Sequence, residues 1–404
     1  LKLEDTEFYG ISDYTVTDSI LFLSEANELI ATHILVDRST LVSTAVLNLG
    51  KRSGFGAISA VNIASSAFDY AALYCYIGSL PSTTYSQNSS LSMQNISVMN
   101  SKLDGEFVFV NIKSEKEIMD PAMTIQQAFE GIIFNNNTIN DSNLFALQNN
   151  QLDFNNYAVI ELFSVNFSNI TYFNNTIGFS YKGDWITEIN LFHTIGFAMF
   201  LSNINMTLNN LTNTSILTLG KGVCTYVLSD SSIIQNQFTE SVITRASKSA
   251  TSSILPPSFL NIVNNTMYLT LFYRFGIISG NNISNNTFQS SSAVFYLLQP
   301  FRLLDSNHFS SNNLINAAMF YCQSRFQNQF PLLRDKNTEN YIFSRLSSRI
   351  ASLIESTFDD SYSQYTKAMP FLRVTSNNFT DLYIVYAPVF YVLEFETESA
   401  FVQI

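Results

Sequence analysis

Charged residues are scarce in this chain. Lys, Arg, Asp and Glu together make up 13% of its 404 residues, roughly half of the share typical of soluble proteins. The chain has 20 basic and 32 acidic residues, which gives a formal net charge of −12. Nucleic acids and anionic membranes both attract clustered Lys and Arg, so this balance argues against either as a partner. Most of the surface must therefore consist of neutral polar side chains.

Long apolar runs are absent as well. No stretch of about 18 or more apolar residues occurs, so the sequence predicts no membrane-spanning segment. The chain starts at Leu1 without a signal-peptide pattern and stops in an apolar stretch at residues 401–404. We interpret it as part of a longer precursor that follows the secretory route. Hydrophobic residues still make up 46% of the chain, which excludes general disorder.

Cysteine and histidine are too few and too scattered to indicate a metal or catalytic site. The three cysteines are Cys75, Cys224 and Cys322, an odd number set among apolar residues, and we predict buried thiols. The three histidines are His33, His193 and His308, and no two of them share a metal-ligand spacing. The sequence therefore predicts neither a metal nor a cofactor.

Acidic residues offer two candidate clusters. The pair Asp359-Asp360 could act as glycosidase carboxylates, and Glu394, Glu396 and Glu398 could hold Ca²⁺ on one strand face. No basic partner follows the aspartates, and alternating charges also keep an exposed strand edge from pairing. We therefore predict a solvated turn and a charged outer face, and no enzyme.

Asn-x-Phe recurs along the second half of the chain. It occupies residues 286–288, 307–309 and 328–330, which are spaced by 21 residues, and an apolar residue usually lies three positions before the Asn. Asn137, Asn156 and Asn175 are spaced by 19 residues. Runs rich in β-branched and aromatic residues fill the intervals, which is typical of short strands. This periodicity indicates a stack of similar coils.

The repeat predicts an all-β fold, a right-handed single-stranded parallel β-helix with coils of about 21 residues. Each coil would bury its apolar side on the next, with Asn at a sharp corner bonding to the Asn above it and Phe pointing inward. A leucine-rich repeat and a β-sandwich or barrel remain alternatives.

We expect one domain over residues 1–404, with residues 1–90 as N-terminal coils or a cap. Segments 113–131 and 331–355 are expected to be inserted loops or helices. Within the first, Asp120-Pro121 and Gly131 have the spacing of helix-capping residues.

Two segments carry a resemblance to known proteins. Asn285-Asn286-Thr287-Phe288 and Asn307-His308-Phe309 are similar to repeats of pectin-lyase-like parallel β-helix proteins, including large protist and bacterial surface proteins. The likeness extends well over residues 230–404 and loosely over 90–230. It implies the fold but not one activity, because such proteins include polysaccharide lyases and hydrolases, tailspikes and adhesins.

N-glycosylation sequons are frequent, and a secreted chain would carry N-glycans at several of them. The candidates are Asn88, Asn95, Asn136, Asn140, Asn166, Asn169, Asn174, Asn205, Asn210, Asn213, Asn264, Asn282, Asn285 and Asn378.

The favoured function is a non-enzymatic extracellular or cell-surface structural protein, a β-helical rod that is a fibre or coat subunit. It would associate with further subunits end to end, because an open solenoid end can template another coil. One alternative is a carbohydrate-binding adhesin module, in which the single Trp185 is a candidate for sugar stacking. The other is a pectin-lyase-type polysaccharide-degrading enzyme.

Overall fold

The computed structural model describes a chain whose regular structure is β-strand. It covers residues 1–9, 18–23, 29–49, 56–79, 89–113, 125–140, 143–149, 163–178, 189–195, 198–212, 214–219, 225–239, 241–246, 275–289, 293–297, 301–323, 372–386, 390–393 and 402–403. No helix occurs in these ranges, so the described part contains no helix that could cross a membrane.

The strands are short and follow one another in groups of three or four. The first are β1 (Lys2–Glu4), β2 (Glu7–Tyr9), β3 (Asp18–Leu23), β4 (Leu29–Asp37), β5 (Thr40–Val42), β6 (Thr44–Leu49), β7 (Gly56–Ala64), β8 (Ala67–Asp69), β9 (Ala72–Ser79), β10 (Ser89–Met99), β11 (Lys102–Asp104) and β12 (Val108–Lys113). The next are β13 (Ile125–Asn135), β14 (Thr138–Asn140), β15 (Asn143–Asn149), β16 (Phe163–Phe173), β17 (Thr176–Gly178), β18 (Ile189–Ile195), β19 (Ala198–Thr207), β20 (Asn210–Thr212), β21 (Thr214–Leu219), β22 (Thr225–Ser229), β23 (Ser232–Ile234), β24 (Gln237–Thr239) and β25 (Val242–Ala246). The last are β26 (Phe275–Ser279), β27 (Asn282–Ser284), β28 (Thr287–Gln289), β29 (Ala293–Leu297), β30 (Phe301–Asp305), β31 (His308–Ser310), β32 (Asn313–Ile315), β33 (Ala318–Gln323), β34 (Leu372–Thr375), β35 (Asn378–Thr380), β36 (Tyr383–Val385), β37 (Phe390–Leu393) and β38 (Val402–Gln403).

These strands form three long parallel sheets. Sheet 1 has 16 strands and runs from β1 through β4, β7 and β10 to β38, with β23, β27, β31 and β35 alongside its later members. Sheet 2 runs from β2 to β36 and sheet 3 from β3 to β37, with 11 strands each. Neighbours within a sheet come from successive coils, so the chain passes through sheets 1, 2 and 3 in turn. The fold is the parallel β-helix that the sequence predicted.

Sheet 2 shows why such short strands are stable in this setting. In β14 the middle residue Ile139 is buried while Thr138 is exposed and Asn140 is half-buried, and Ile177 of β17 repeats this pattern. Ile139 and Ile177 are register partners, so each coil adds one apolar side chain to a continuous inner column. Burying a side chain of that size stabilises the fold by about 1.5–3 kcal/mol. A single coil has no such neighbour and would not hold its shape.

Aromatic rings stack along the same axis. The Phe238 and Phe288 rings lie 4.5 Å apart and nearly parallel, and so do those of Phe309 and Phe379 at 4.9 Å. All but Phe379, which is half-buried, lie in the buried core. The prediction that Phe two residues after a corner Asn points inward is therefore confirmed at these positions.

The coils are longer than the predicted 21 residues. The side chain of Asn281 bonds to that of Asn307, 26 residues later, and Asn286 bonds to Asn312, also 26 residues later. Each of these coils has two Asn corners five residues apart. A spacing of 21 (26 − 5) therefore joins the second corner of one coil to the first corner of the next.

The same correction applies to the predicted phenylalanine column. Phe288 is in register with Leu314, and Phe309 is in register with Ile283. Phe288 and Phe309 thus belong to different inner columns, one in sheet 2 and one in sheet 1. Phe330, the third member of the predicted column, lies outside the described residues.

The 19-residue spacing in the first half is half of one coil. Asn137 bonds to Asn175, 38 residues later, while Asn156 between them lies outside the described residues. Elsewhere the distance between bonded corner residues ranges from 26 to 70 residues. Coil length thus varies through the segments between strands, while the strand register stays constant.

The helix predicted within residues 113–131 is wrong where the structure describes it. Residues 125–131 belong to β13, which pairs with β10 and β16 on its two sides. Gly131 has a φ of 63°, but this marks a bend in the strand rather than the end of a helix. The described residues between 1 and 79 form coils of the same kind, β1–β9, and segment 331–355 lies outside the described residues.

A disulfide test distinguishes the two coil lengths. Asn282→Cys with His308→Cys joins register partners on adjacent strands, about 4.8 Å apart, which lies within disulfide reach. We expect oxidation to link these two cysteines, as read by mass spectrometry of linked peptides. The control pair Thr287→Cys with His308→Cys is 21 residues apart and should stay unlinked. A disulfide in the control pair, and none between residues 282 and 308, would instead support a coil of 21 residues.

Candidate functional site

The most distinctive site of the described chain is a column of small polar residues inside the solenoid. It lies at the corner between sheets 1 and 2 and is here named the first ladder. Its members are Ser39, Ser66, Ser101, Asn137, Asn175, Asn209, Asn236, Asn286 and Asn312, and all of them are buried. The backbone N–H of Thr6 bonds to the Ser39 hydroxyl and extends the column by one coil.

Each Asn of the first ladder uses its whole amide group. The Oδ1 atom of Asn175 accepts from the backbone N–H of Asn137 at 2.9 Å and from its Nδ2 at 3.1 Å. The Nδ2 atom of Asn175 donates to Oδ1 of Asn209 at 2.9 Å and to the carbonyl of Phe134 at 3.0 Å. A buried amide without these partners would cost about 1–3 kcal/mol for each lost bond. The ladder therefore fixes the register from one coil to the next.

Each ladder Asn donates its second Nδ2 hydrogen bond to a backbone carbonyl of the preceding coil. That carbonyl belongs to the residue three positions before the ladder residue of the preceding coil. Ile233 plays this part for Asn286 and Ile283 for Asn312. Both isoleucines are also buried in the core. The apolar position that accompanies the Asn-x-Phe repeat thus contributes a side chain to the core and a carbonyl to the ladder.

The residue just before each ladder position turns the corner. It has a positive φ throughout, for example 53° at Asn136, 52° at Asn174 and 55° at Asn285. Asn adopts this left-handed conformation more readily than most residues. The pairs at residues 136–137, 174–175 and 285–286 therefore split two roles, because the first Asn makes the turn outside and the second bonds inside.

A second ladder lies within sheet 1, where the strand bends. Its members are Ser231, Asn281, Asn307 and Asn377, linked in the same way. Earlier coils have buried β-branched residues at this position, namely Ile34, Val61, Ile96, Ile132, Ile170 and Ile204. In those earlier coils the sheet 1 strand runs through this position without a break. In the coils that carry Ser231, Asn281, Asn307 or Asn377, the strand is divided into two shorter strands, as in β26 and β27.

The sequon residues fall into three groups. Exposed are Asn95, Asn136, Asn169, Asn174, Asn205, Asn210, Asn285 and Asn378. Half-buried are Asn140, Asn166 and Asn282. Outside the described residues lie Asn88, Asn213 and Asn264.

The candidate catalytic residues are not brought together in the described part of the chain. Asp359, Asp360, Glu394, Glu396, Glu398 and Trp185 lie outside it. Across the described ranges, no group of three or more His, Cys, Asp and Glu could hold a metal ion. His33 is exposed at a bend of sheet 1, and His308 lies half-buried on the outer face of the same sheet, eight coils further along. The two imidazoles therefore do not share a site.

Burial perturbs several titratable groups that lie away from solvent. Burial raises the pKa of the Cys75 thiol to about 12, which makes it a poor nucleophile at neutral pH. Burial also raises the pKa of the Glu106 carboxyl, and it holds the pKa values of the Tyr74 and Tyr172 hydroxyls well above their usual range. Tyr74 and Tyr172 lie in the main apolar core, and Cys75 packs in a separate buried cluster with Ala45 and Ala72.

The fold and this interior define the class of protein: a parallel β-helix solenoid with internal asparagine ladders. Comparison with family models, with curated proteins and with solved structures returns no match.

Replacing one rung tests the ladder. Asn175→Ala removes side-chain bonds to the preceding and the following coil, so we expect a loss of about 3 kcal/mol or more in the free energy of unfolding. The neighbouring Asn174→Gly keeps a residue that tolerates positive φ and should change stability by less than about 0.5 kcal/mol. Urea unfolding of both variants measures the difference. Equal effects would remove the special role of the ladder.

A buried amide inside sheet 1 provides a second test. Gln127 is fully buried in an inner column next to Leu91 and Val165, and neither of its amide atoms has a hydrogen-bond partner. Gln127→Leu should therefore raise the free energy of unfolding by about 1–3 kcal/mol. Gln94→Leu, at an exposed position of β10, should leave it nearly unchanged. A loss of stability in Gln127→Leu would show that the amide is needed.

Proposed function

We propose that this protein is a non-enzymatic structural rod of the cell surface or extracellular space. The observation that carries the proposal is the first ladder, which links ten successive coils from Thr6 to Asn312 through buried side-chain bonds. An array of that kind ties each coil to the next and resists sliding. Eleven coils at about 4.8 Å each make a rod core of roughly 50 Å.

Surface chemistry supports the same proposal. The described ion pairs are few, and exposed ones such as Arg38 with Asp5 contribute little to stability. The interior bonds and apolar columns therefore hold the rod together without relying on surface charge. A protein with this construction tolerates changes in salt and pH outside the cell.

End-to-end association is part of the proposal. Within the described residues, β1, β2 and β3 each pair with a strand on one side only. The Thr6 carbonyl bonds to Thr40 of the next coil, so the backbone of Glu7 points the other way. That open side can receive another coil, from a continuation of this chain or from a further subunit.

A carbohydrate-binding role is the second candidate. It is favoured by the outer face of sheet 2, which over six coils presents Thr138, Thr176, Asn210, Gln237, Thr287 and Asn313 in one register column. These uncharged hydrogen-bonding groups suit neutral sugars rather than ions. Binding to a glycan array that Thr138→Val and Thr176→Val abolish would favour this role, and an array without hits would remove it.

Sedimentation velocity over a dilution series tests the structural role. We expect association that grows with protein concentration and that weakens in Glu7→Pro, because proline removes a backbone donor at the open side. Glu7→Gln keeps the donor and is the matched control. A chain that stays monomeric at all concentrations and releases unsaturated products from uronate polymers would instead support the polysaccharide-degrading alternative.

A further inference from the structure

The ladder rules determine which Asn residues can belong to a sequon. Two residues after every ladder Asn comes the inward apolar residue of the next strand, such as Ile139 after Asn137 or Phe288 after Asn286. Ser or Thr at that position would place a hydroxyl in the core. None of the ladder asparagines therefore lies in a sequon. Their side chains, which the fold requires, are excluded from modification.

The preceding residue follows the opposite rule. Two residues after Asn136 comes Thr138, the first residue of β14, which lies on the exposed outer face of sheet 2. A hydroxyl there costs nothing and completes the sequon. The sequence Asn-Asn-Thr followed by an apolar residue thus encodes a modifiable Asn outside and a ladder Asn inside.

The exposed sequon residues share one side of the rod. We define the sequon strip as the surface from the bend of sheet 1 to the first residue of the sheet 2 strands. Asn95 and Asn169 lie at the bend; Asn205 and Asn378 lie beyond it in sheet 1; Asn136, Asn174 and Asn285 lie at the corner; and Asn210 begins β20. All eight sequon residues that are exposed in the described part of the chain therefore lie in the strip.

The remaining described sequon residues are less accessible. Asn140 ends β14 and Asn166 lies in the first half of β16, both half-buried and outside the strip. Asn282 lies inside the strip but is half-buried, and its Oδ1 atom is fully enclosed. The described strands of sheet 3 contain no sequon Asn.

We propose that N-linked oligosaccharides cover the sequon strip and that the described strands of sheet 3 and the first half of the sheet 1 strands stay unglycosylated. In the transfer, Nδ2 of each Asn loses a proton and bonds to C1 of the first sugar. The bond from C1 to the pyrophosphate of a lipid-linked oligosaccharide breaks, and the lipid pyrophosphate leaves with the electron pair. This proposal rests on the secretory route of the proposed function.

The strip tolerates such groups without loss of the fold. The Nδ2 atom of Asn136 donates to Oδ1 of Asn100, and Nδ2 of Asn174 donates to Oδ1 of Asn136, but both bonds are exposed and water can replace them. Because few surface residues are charged, glycans here would supply the hydration that keeps the rod from sticking laterally.

Site mapping tests the proposal on the whole chain, secreted from a eukaryotic cell behind a signal peptide. Peptide N-glycosidase in heavy-oxygen water converts each glycosylated Asn to a labelled Asp, which mass spectrometry locates. We expect label at strip residues, led by Asn136, Asn174, Asn285 and Asn378, and at least tenfold less at Asn140 and Asn166. Thr138→Val should remove label at Asn136 alone, while Thr138→Ser should retain it.

Two outcomes would overturn the proposal. One is label at Asn140 and Asn166 equal to that of the strip, and the other is a secreted chain without label at any strip residue. A chain that associates in sedimentation yet lacks strip glycans would leave the structural role in place and reject the glycan strip. A chain that carries the strip glycans but stays monomeric would keep the glycan strip and reject the structural role.

Discussion

The buried amide bonds between successive coils are the constraint on which the rest of this structure depends. A corner in a solenoid leaves backbone N–H groups facing inward, and each must find a partner in the absence of water. The Oδ1 atom of a ladder Asn supplies that partner for the coil before it, and its Nδ2 atom bonds two further acceptors. The corners are therefore part of the hydrogen-bonded framework rather than loops between strands.

This arrangement also explains the composition of the surface and the core. The ladder requires Asn or Ser at one position, a left-handed residue before it and an apolar residue two positions after it. Apolar columns then fill the interior on both sides, as Ile139 and Ile177 do in sheet 2. The outside is left mainly to neutral polar residues. This agrees with the small charged fraction of 13%. No ladder Asn completes a sequon, because an apolar residue lies two positions after it, so the sequons of this region use Asn residues on the outside.

Much of the fold could be predicted from the sequence, but the coil length could not. The Asn-x-Phe repeat correctly indicated corners, inward phenylalanines and parallel stacking. It gave 21 instead of 26 residues because two corners of one coil share the same local chemistry, and sequence spacing does not tell which corner stacks on which. The helix expected near Gly131 failed because a left-handed glycine marks a strand bend as readily as a helix end. Residues 125–131 are strand rather than helix because β13 pairs with a neighbouring strand on each side, β10 and β16.

The two roles of an Asn-Asn pair were the part of the site that sequence reasoning missed. A usable signal was present, since an apolar residue two positions later marks the ladder Asn, whereas Thr at that position marks the outer one. Asn136 and Asn137 illustrate both rules within the four residues 136–139. The distinction needs the register of neighbouring coils, which local propensity does not contain.

Hydrogen–deuterium exchange at the corners tests the central claim most directly. The backbone N–H groups of Asn137, Asn175 and Asn209 are bonded to the Oδ1 atom of the next coil. The account predicts that peptides spanning these corners exchange as slowly as those of β13 and β16. Exchange within seconds, at the rate of an unprotected loop, would contradict it.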